Sequence, residues 1–313
     1  MLRFTLKRLL NGVLMLFTVS FLAFVLLRIG AGNVARVILG NQASVEDVNA
    51  KNAEWGLNKP ILVQFWDWFQ GAIHLDFGTP WAAALPVSED LASRLPITLT
   101  LVFLTTIVAA VISILLGVTA AVKGGWIDRF VQFIGLVGFA IPGFLVAFGL
   151  VSVFAVQLHL FAALGYVPFE ENPSEWAKSV TLPVAALALS GIAAIAQQVR
   201  GSVGDALDMD YVRTLRARGL SFNRVVFKHV LRNAGGPALS ILGVNFVGML
   251  GGAVIVEKIF NIPGLGPYAV AATGMSDIPA VMGLVVVTAV VVIVVNLVID
   301  LLTASLNPKV RLS

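Results

Sequence analysis

Long apolar segments separated by polar ones dominate this sequence. Six segments are almost wholly apolar, and each is close to or longer than the roughly 20 residues that a helix needs to cross the hydrocarbon core of a membrane. The six segments are residues 9–27, 97–122, 130–156, 180–196, 238–256 and 281–299. Their centres contain no Asp, Glu, Lys or Arg. The pattern predicts an all-α, polytopic membrane protein with six transmembrane helices.

The composition agrees with this pattern. Hydrophobic residues make up 58% of the chain and charged residues 12%, whereas soluble domains carry about 25% charged residues. The chain has no cysteine, which excludes a disulfide framework and a thiolate metal site. The three histidines lie far apart in the sequence, so we assign them no metal or catalytic role. A net charge of +4 could indicate nucleic-acid binding. In a membrane protein, however, the positions of the basic residues relative to the spans matter more than their sum.

The distribution of Lys and Arg predicts the orientation of the chain. Fourteen of the 21 basic residues fall on one side of the six spans, in the segments that include both termini. Because cytoplasmic segments are enriched in Lys and Arg, both termini are expected to be cytoplasmic. The first apolar segment is longer than the roughly 7–15 residues of the apolar region of a signal peptide, so we interpret it as a retained span.

Residues 30–93 form the longest predicted extracytoplasmic segment. Within it, Ser44 and Asp47 have the spacing of a capping box, and Gly56 is suited to end the helix that follows. A second, amphipathic helix is expected to begin at Pro60. Its predicted apolar face carries Leu62, Phe65, Phe69 and Ile73, with Trp66, Trp68 and Trp81 nearby. We interpret this helix as lying at the membrane interface or on the bundle, with direct ligand binding as the alternative.

The most basic stretch of the chain is MDYVRTLRARGLSFNRVVFKHVLRNAGGP, residues 209–237. Ser202 and Asp205 are suited to cap a first helix, and Gly219 is suited to end it in a left-handed conformation. Ser221 can cap a second helix. The apolar stripe of that helix would consist of Phe222, Val225, Val226, His229 and Val230. Lipid anchoring needs only a few charges, so two short helices around a glycine favour a docking element for a cytoplasmic partner.

Several enzyme motifs are absent from the sequence. It contains no G-x-x-x-x-G-K-[ST] loop for ATP phosphates, no H-E-x-x-H and no G-x-S-x-G. An intramembrane enzyme would need a nucleophile–base pair or paired carboxylates in the spans, and we find neither. Carriers usually keep ionisable groups in their spans, and the centres of these spans have none. Gly and Pro occur in the spans instead, and Pro142 is expected to kink the third span. The chain is therefore predicted not to be an enzyme by itself.

The basic stretch resembles the cytoplasmic EAA-type loop of membrane permeases in ATP-binding-cassette importers, more narrowly that of the dipeptide/oligopeptide branch. Gly219 stands at the glycine of the loop pattern, while Arg213, Thr214 and Leu215 occupy its E-A-A positions. Further motifs of this branch occur in order along nearly the whole chain. They are the basic N-terminus with the first span, WGLNKPILVQF, LDFGT, IPGFLVAFGL, VEKIFNIPGLG and the tail NPKVR. The long first outer segment is similar to that of one subunit of the permease pair.

This resemblance implies the fold of a type I ABC importer permease in the cytoplasmic (inner) membrane of a prokaryote. A second homologous permease would complete the pathway, two ATP-binding subunits would carry ATP and Mg, and an extracytoplasmic binding protein would deliver the solute. The chain itself would bind membrane lipid but no cofactor, metal or nucleic acid. The implied solute is a di- or oligopeptide, with nickel, glutathione or another small solute as the alternative. A stand-alone channel or carrier is the rival of a different class.

The resemblance also implies the residues of the ATPase-coupling loop, which would lie within 201–233. They are Tyr211, Arg213, Thr214, Leu215, Arg218, Gly219, Ser221, Phe222 and Arg224. A separate hypothesis places the translocation path between the third and fifth spans. Its candidate residues are Pro142, Asn245, Gly248 and Gly252, and Asn245 could instead bond a neighbouring helix.

The predicted organisation of the chain has four parts. They are an N-terminal transmembrane helix over 1–29, an extracytoplasmic segment with short helices over 30–93, a five-helix permease core over 94–305, and a cytoplasmic tail over 306–313.

Overall fold

A computed structural model of the protein describes residues 2–30, 32, 34–40, 42–81 and 85–306. Every regular element in these ranges is a helix, which confirms the predicted all-α class. The helices are α1 (Leu2–Gly30), α2 (Val34–Leu39), α3 (Val45–Glu54), α4 (Ile61–Ile73), α5 (Val87–Lys123), α6 (Gly125–Ala140), α7 (Gly143–Leu150), α8 (Pro173–Asp208), α9 (Asp210–Ala217), α10 (Phe222–Val225), α11 (Leu231–Ile259), α12 (Leu265–Gly274) and α13 (Ile278–Leu306). Two π-helical turns, Val151–Gln157 and Val226–Val230, follow α7 and α10. The predicted tail lies outside the described residues from position 307 onward.

Five of the six predicted spans are uninterrupted helices in the described part of the chain. Four of them are α1, α5, α8 and α13, and the fifth is a continuous helix, Phe222–Ile259, that includes α10 and α11. These helices are longer than the apolar segments that predict them. Helix α8 has 36 residues, and its start lies before the apolar segment, where Asn172 caps it by accepting hydrogen bonds from the N–H groups of Ser174 and Glu175. Hydropathy marks only the part of a helix that suits hydrocarbon, and not its polar ends.

The third predicted span is broken rather than kinked. Helix α6 ends at Ala140, Ile141 is extended with φ −92° and ψ 118°, and α7 begins after Pro142. The two halves are bent by 95°. Proline lacks an N–H and disfavours helical backbone in the residue before it, and Ile141 is that residue. The predicted kink at Pro142 is thus a complete interruption of the helix.

The chain forms two compact units, which we call unit I and unit II. Unit I contains the described residues of 1–5, 99–262 and 295–313, and unit II those of 6–98 and 263–294. In unit I, α8 is the most buried of the candidate spans. Glycines let its neighbours approach closely. A Cβ on Gly117 of α5 would lie 2.8 Å from the carbonyl oxygen of Ala196, and one on Gly138 of α6 would lie 2.9 Å from the Cβ of Ala193.

In unit II, the amphipathic helix α4 packs on α1 through aromatic rings. Phe65 is buried and makes edge-on contacts with Phe21 and Phe24 of α1, at centroid distances of 5.2 and 5.6 Å. The predicted apolar face is wrong in part, because Leu62 and Ile73 are 67% and 63% exposed. The buried face centres on Phe65, Trp68 and Phe69 instead, since a row of aromatic residues on α1 determines which side of α4 is covered.

The local signals in the same unit are confirmed. Ser44 caps α3 by accepting the N–H of Asp47 at 3.1 Å. Gly56 ends it with φ +67°, and the N–H of Leu57 bonds back to the carbonyl oxygen of Asn52 at 2.8 Å. Both features depend on residues a few positions apart, so no distant contact can override them easily.

Unit II also contains a group of charged residues around Tyr268 of α12. Arg94 lies over the Tyr268 ring, 5.2 Å from its centroid, and its guanidinium is 3.3 Å from the carboxylate of Asp90. The Tyr268 hydroxyl is buried and has no hydrogen-bond partner among the described residues. Burial, followed by the negative charges of Asp90 and Asp277, raises the pKa of Tyr268 to about 12, against the opposing charge of Arg94. The phenol therefore stays protonated in alkaline solution.

This pKa predicts a loss of stability at high pH. The unfolded chain releases the Tyr268 proton near pH 10.0, whereas the folded chain holds it to about pH 12, so the free energy of unfolding should fall as pH rises through this window. A tyrosinate absorbance titration should show one component near pH 12 that Tyr268→Phe removes. Tyr166→Phe, the matched control, should leave that component in place; its loss in the control would contradict the assignment.

Candidate functional site

The predicted coupling loop is a short helix held between two long ones. We call residues 209–230 the coupling segment. Helix α8 continues to Asp208, so Ser202 lies inside α8, and the capping role predicted for Ser202 and Asp205 is wrong. Ser202 instead accepts a hydrogen bond from Gln198, one turn earlier, at 3.2 Å. Only Met209, with extended backbone at ψ 143°, separates α8 from α9.

Gly219 ends α9 in the left-handed conformation that the sequence predicts, with φ +84°. Its N–H bonds to the carbonyl oxygen of Arg216 at 2.9 Å, and the N–H of Leu220 bonds to that of Leu215 at 3.3 Å. These two bonds form a Schellman motif, which satisfies the last carbonyls of a helix. A Cβ on Gly219 would meet no atom within 4 Å, so backbone conformation, and not space, requires glycine here.

A cation–π contact closes this turn. The Arg216 guanidinium carbon lies 5.6 Å from the centroid of the Phe222 ring. It joins α9 to α10 across Gly219 and leaves Phe222 half-buried. The sequence suggested an apolar role for Phe222 and gave no sign that its ring contacts Arg216. At an exposed site such a contact contributes about 0.5–1 kcal/mol.

The second half of the coupling segment is the start of a long helix and not a separate short one. Ser221 occupies the N-cap position without a side-chain hydrogen bond, and the helix then runs to Ile259. The predicted stripe is confirmed as an inward face, because Val225, Val226 and Val230 are buried. Phe227 lies off the stripe and is 69% exposed. Sequence reasoning missed it, although an apolar residue off the stripe was the available signal.

The other residues assigned to the coupling loop surround this turn. Arg213 is 81% exposed and its guanidinium lies 3.7 Å from the Asp210 carboxylate. Such a surface ion pair contributes little to the free energy of unfolding. Tyr211 and Leu215 are half-buried, and the Tyr211 hydroxyl has no hydrogen-bond partner among the described residues. Three further residues are exposed: Thr214, Arg218 and Arg224. The segment thus presents a basic surface around a half-buried apolar patch.

The residues assigned to the translocation path meet the middle of α8. The amide nitrogen of Asn245 donates to the carbonyl oxygen of Ile241 in its own helix at 3.0 Å, and the place of Asn245 in the path stays a prediction. A Cβ on Gly252 would lie 3.4 Å from Leu187 of α8. Pro142 is exposed, and a Cβ on the adjacent Gly143 would lie 3.8 Å from Ser190 of α8.

The glycines of α11 divide into two kinds. Gly243 and Gly252 face neighbouring helices, and a Cβ on Gly243 would lie 2.7 Å from Ile299 of α13. Gly248 and Gly251 are exposed, and a Cβ on either would meet no described atom within 4 Å. Close helix packing therefore explains Gly243 and Gly252, while Gly248 and Gly251 leave backbone uncovered on an exposed face of α11.

An ion pair joins α6 to α8 near the coupling segment in sequence. The guanidinium of Arg200 donates two hydrogen bonds to the two carboxylate oxygens of Asp128, one of them 2.6 Å long. Gln132, one turn along α6, donates to the same carboxylate at 3.0 Å. A Cβ on Gly135 would lie 2.6 Å from Nε2 of Gln197, so α6 approaches α8 closely along this face. The partners are 72 positions apart in the sequence, so no local sequence pattern predicts this pair.

The family of the chain follows from two sequence profiles. The first describes the binding-protein-dependent transport system inner membrane component and matches residues 113–312, which include the coupling segment. The second describes the N-terminal part of the same membrane components and matches residues 1–102. The chain belongs to the binding-protein-dependent transport system inner membrane components. It is therefore a multi-pass inner membrane protein and a permease subunit.

Full-length relatives of this family are similar to the chain. A Brucella abortus (strain 2308) protein, provisionally named a peptide transport system permease protein, is 35% identical over 307 residues, which are 98% of each chain. The peptide ABC transporter permease protein y4tP of Sinorhizobium fredii, whose name is also provisional, is 33% identical over 98% of this chain and 99% of its own. The glutathione transport system permease protein GsiC of Escherichia coli (strain K12) is 35% identical over 99% of both.

A solved structure shares the fold of this permease family. An inward-facing structure of the MetNI methionine ABC transporter matches with a TM-score of 0.50 and 17% sequence identity, over 71% of this chain and 94% of the other. At this identity the match supports the fold alone. It confirms the predicted permease fold, while the orientation of the termini stays a prediction.

The Asp128–Arg200 pair should stabilise unit I. Asp128→Ala is expected to cost about 1–3 kcal/mol, because it leaves a partly buried guanidinium without its charged hydrogen-bond partner. Exchange of the two residues, Asp128→Arg with Arg200→Asp, should recover part of that loss. Thermal unfolding of the purified protein in detergent measures both effects. Arg129→Ala, which removes an exposed neighbouring charge, is the control, and an equal loss in that variant would contradict the role of the pair.

Proposed function

We propose that this chain is a permease subunit of an ATP-driven importer that moves di- or oligopeptides delivered by an extracytoplasmic binding protein. The observation that carries the proposal is the coupling segment, a basic helix–turn–helix element attached directly to α8 and α11. Such an element suits a membrane subunit that receives mechanical work from another polypeptide. A stand-alone channel has no need of it.

The coupling segment would dock on an ATP-binding subunit, one of two in the assembly. Interfaces concentrate energy in a few apolar or aromatic residues, while charges at their edge steer and orient the partner. Leu215 and Phe222 are half-buried beside exposed Arg213, Arg218 and Arg224, which fits this arrangement. ATP and Mg would be held by the partner subunits, so the chain would not be an enzyme by itself.

The translocation path would run between α7, α11 and their counterparts in a second, homologous permease. The exposed backbone at Gly248 and Gly251 supports this location, because a helix face without side chains allows close approach of a solute or of another helix. The break at Pro142 supplies a point where α6 and α7 can change their angle.

Peptides are the favoured solute because two relatives with nearly full coverage bear peptide permease names. The relative named for glutathione favours glutathione as the second candidate, and glutathione is itself a small peptide. The test is uptake of labelled peptide and labelled glutathione into proteoliposomes that contain the complete transporter with ATP inside. Uptake of neither solute, or uptake that continues without ATP, would refute the proposal.

Gly219→Val is expected to abolish most ATP-driven uptake while membrane insertion stays normal. A β-branched residue resists the left-handed conformation at a cost of about 1–2 kcal/mol, which is enough to misplace a short helix but too little to unfold the bundle. Uptake is measured together with the amount of protein in the membrane. Gly204→Val is the matched control, because Gly204 also has open space around it but lies at an ordinary helical φ in α8.

Phe222→Ala should weaken assembly with the ATP-binding subunit more than Arg224→Ala does. The truncation removes the ring that Arg216 covers, at about 2 kcal/mol or more for an aromatic interface residue, against about 0–1 for an exposed charge. The amount of ATPase subunit retained on purified mutant complexes gives the answer. Full retention with Phe222→Ala, or crosslinks that place the ATPase on residues 123–129, would show that the partner binds elsewhere.

A further inference from the structure

Unit II contains a cavity that belongs to neither the coupling segment nor the proposed path. Its volume is about 270 Å³, close to the lower limit of about 300 Å³ for pockets that hold drug-sized ligands. It is formed by the end of α1, the α3–α4 connection, α4 and the start of α13. Its walls include Phe24, Arg28, Trp55, Asp67, Trp68 and Trp81.

Aromatic rings form the apolar wall of this cavity. Trp55 and Trp81 are stacked, with centroids 4.7 Å apart and planes within 12° of parallel. Lys51 lies over the Trp55 ring at 5.1 Å, and Trp68 packs on Phe24 at 6.3 Å. Stacked indoles hold each other rigid, so this wall is preformed for an apolar or aromatic group.

Two buried N–H donors in the wall have no acceptor among the described residues. They are Nε of Arg28 and Nε1 of Trp68. A second guanidinium nitrogen of Arg28 donates to the carbonyl oxygen of Leu57 at 3.1 Å, which fixes the side chain at the cavity. Buried donors are almost always satisfied, and each unmet one costs about 1–3 kcal/mol. Two of them in one cavity call for an acceptor group.

Charge decides the kind of acceptor. Two other charged residues of the wall are already paired: Lys59 with Asp67 at 2.7 Å, and Glu54 with Lys51 through both carboxylate oxygens. Arg28 has no carboxylate partner among the described side chains. A guanidinium matches the planar geometry of a carboxylate, and it also pairs with phosphate. Only one oxygen of Asp67 is engaged by Lys59, so the other is available to accept from an ammonium group.

We propose that this cavity is a binding site for a small zwitterionic peptide. The carboxylate of the peptide accepts from Arg28 and Trp68, an apolar side chain lies against Trp55 and Trp81, and the ammonium group faces Asp67. The site is separate from the residues proposed for coupling and translocation. Its occupancy is measured without ATP and without transport, so its failure and that of the proposed function are distinguishable.

The experiment measures binding of radiolabelled Ala-Phe to the purified full chain in phosphatidylcholine nanodiscs. Saturable binding is expected, and unlabelled Ala-Phe amide should compete roughly tenfold less well than unlabelled Ala-Phe, because it has lost its carboxylate. Equal competition by the amide, or no saturable binding, overturns the proposal. Loss of the labelled peptide on adding phosphatidylglycerol would instead identify the site as one for a lipid phosphate.

Two pairs of variants locate the bound peptide. Trp68→Phe keeps the ring and removes one donor, so it should weaken binding roughly tenfold, whereas Trp66→Phe on the exposed side of α4 should have no effect. Arg28→Gln should abolish binding, whereas Arg36→Gln, an arginine outside the cavity wall, should not. Unchanged binding in Trp68→Phe or Arg28→Gln, with the fold intact by circular dichroism, overturns the assignment of the site.

Discussion

Backbone N–H and carbonyl groups that a helix leaves unpaired at its ends need other partners, and this constraint shapes several places where a helix of this protein ends or breaks. At Gly219 the turn returns its own N–H groups to the last carbonyls of α9. At the start of α12 the side chain of Thr98 accepts the N–H of Leu265, 167 residues away, at 2.8 Å. At Pro142 the proline removes one donor, and the N–H of Leu145 bonds back to its carbonyl. Each departure from helix carries its own compensation.

The same constraint explains how polar side chains lie within the spans. Thr18, Thr106 and Thr181 donate to carbonyl oxygens four residues earlier, and Asn245 does the same. Such groups do not join helices, but Ser113 of α5 donates to the carbonyl oxygen of Ile192 of α8 at 3.1 Å. Helix association in unit I thus uses polar contacts of this kind together with close packing at glycine. The burial of α8 follows from it, since Gly117 and Gly138 bring α5 and α6 to the distance at which backbone and side chains touch.

Sequence reasoning succeeded where the cause of a structure is local. The six apolar segments, the cap at Ser44 and the left-handed residues Gly56 and Gly219 each depend on a few adjacent positions. It failed where a distant surface decides. The covered face of α4 is set by aromatic residues of α1, so Leu62 was misplaced, and the extension of α8 through Ser202 depends on burial that hydropathy does not record.

The candidate site divides in the same way. The turn at Gly219 and the buried stripe of Val225 and Val230 follow from spacing, so they were predictable. The Arg216–Phe222 contact needs the angle that the turn imposes, and the Asp128–Arg200 pair needs the approach of two spans. Neither contact produces a periodic pattern in the sequence. Contacts that depend on how helices meet are therefore the part of the candidate site that only the structure supplies.

The unbroken helix from Phe222 to Ile259 has a mechanical consequence. Its 38 residues correspond to about 57 Å at 1.5 Å per residue, more than the thickness of a bilayer with its headgroups. A stiff rod of this length acts as a lever: a tilt of about 5° at one end displaces the other by about 5 Å, with no hydrogen bond broken between. The wide π-helical turn at Val226–Val230 and Pro237 are irregular places along that rod, and both lie in the half of the helix at which force would enter.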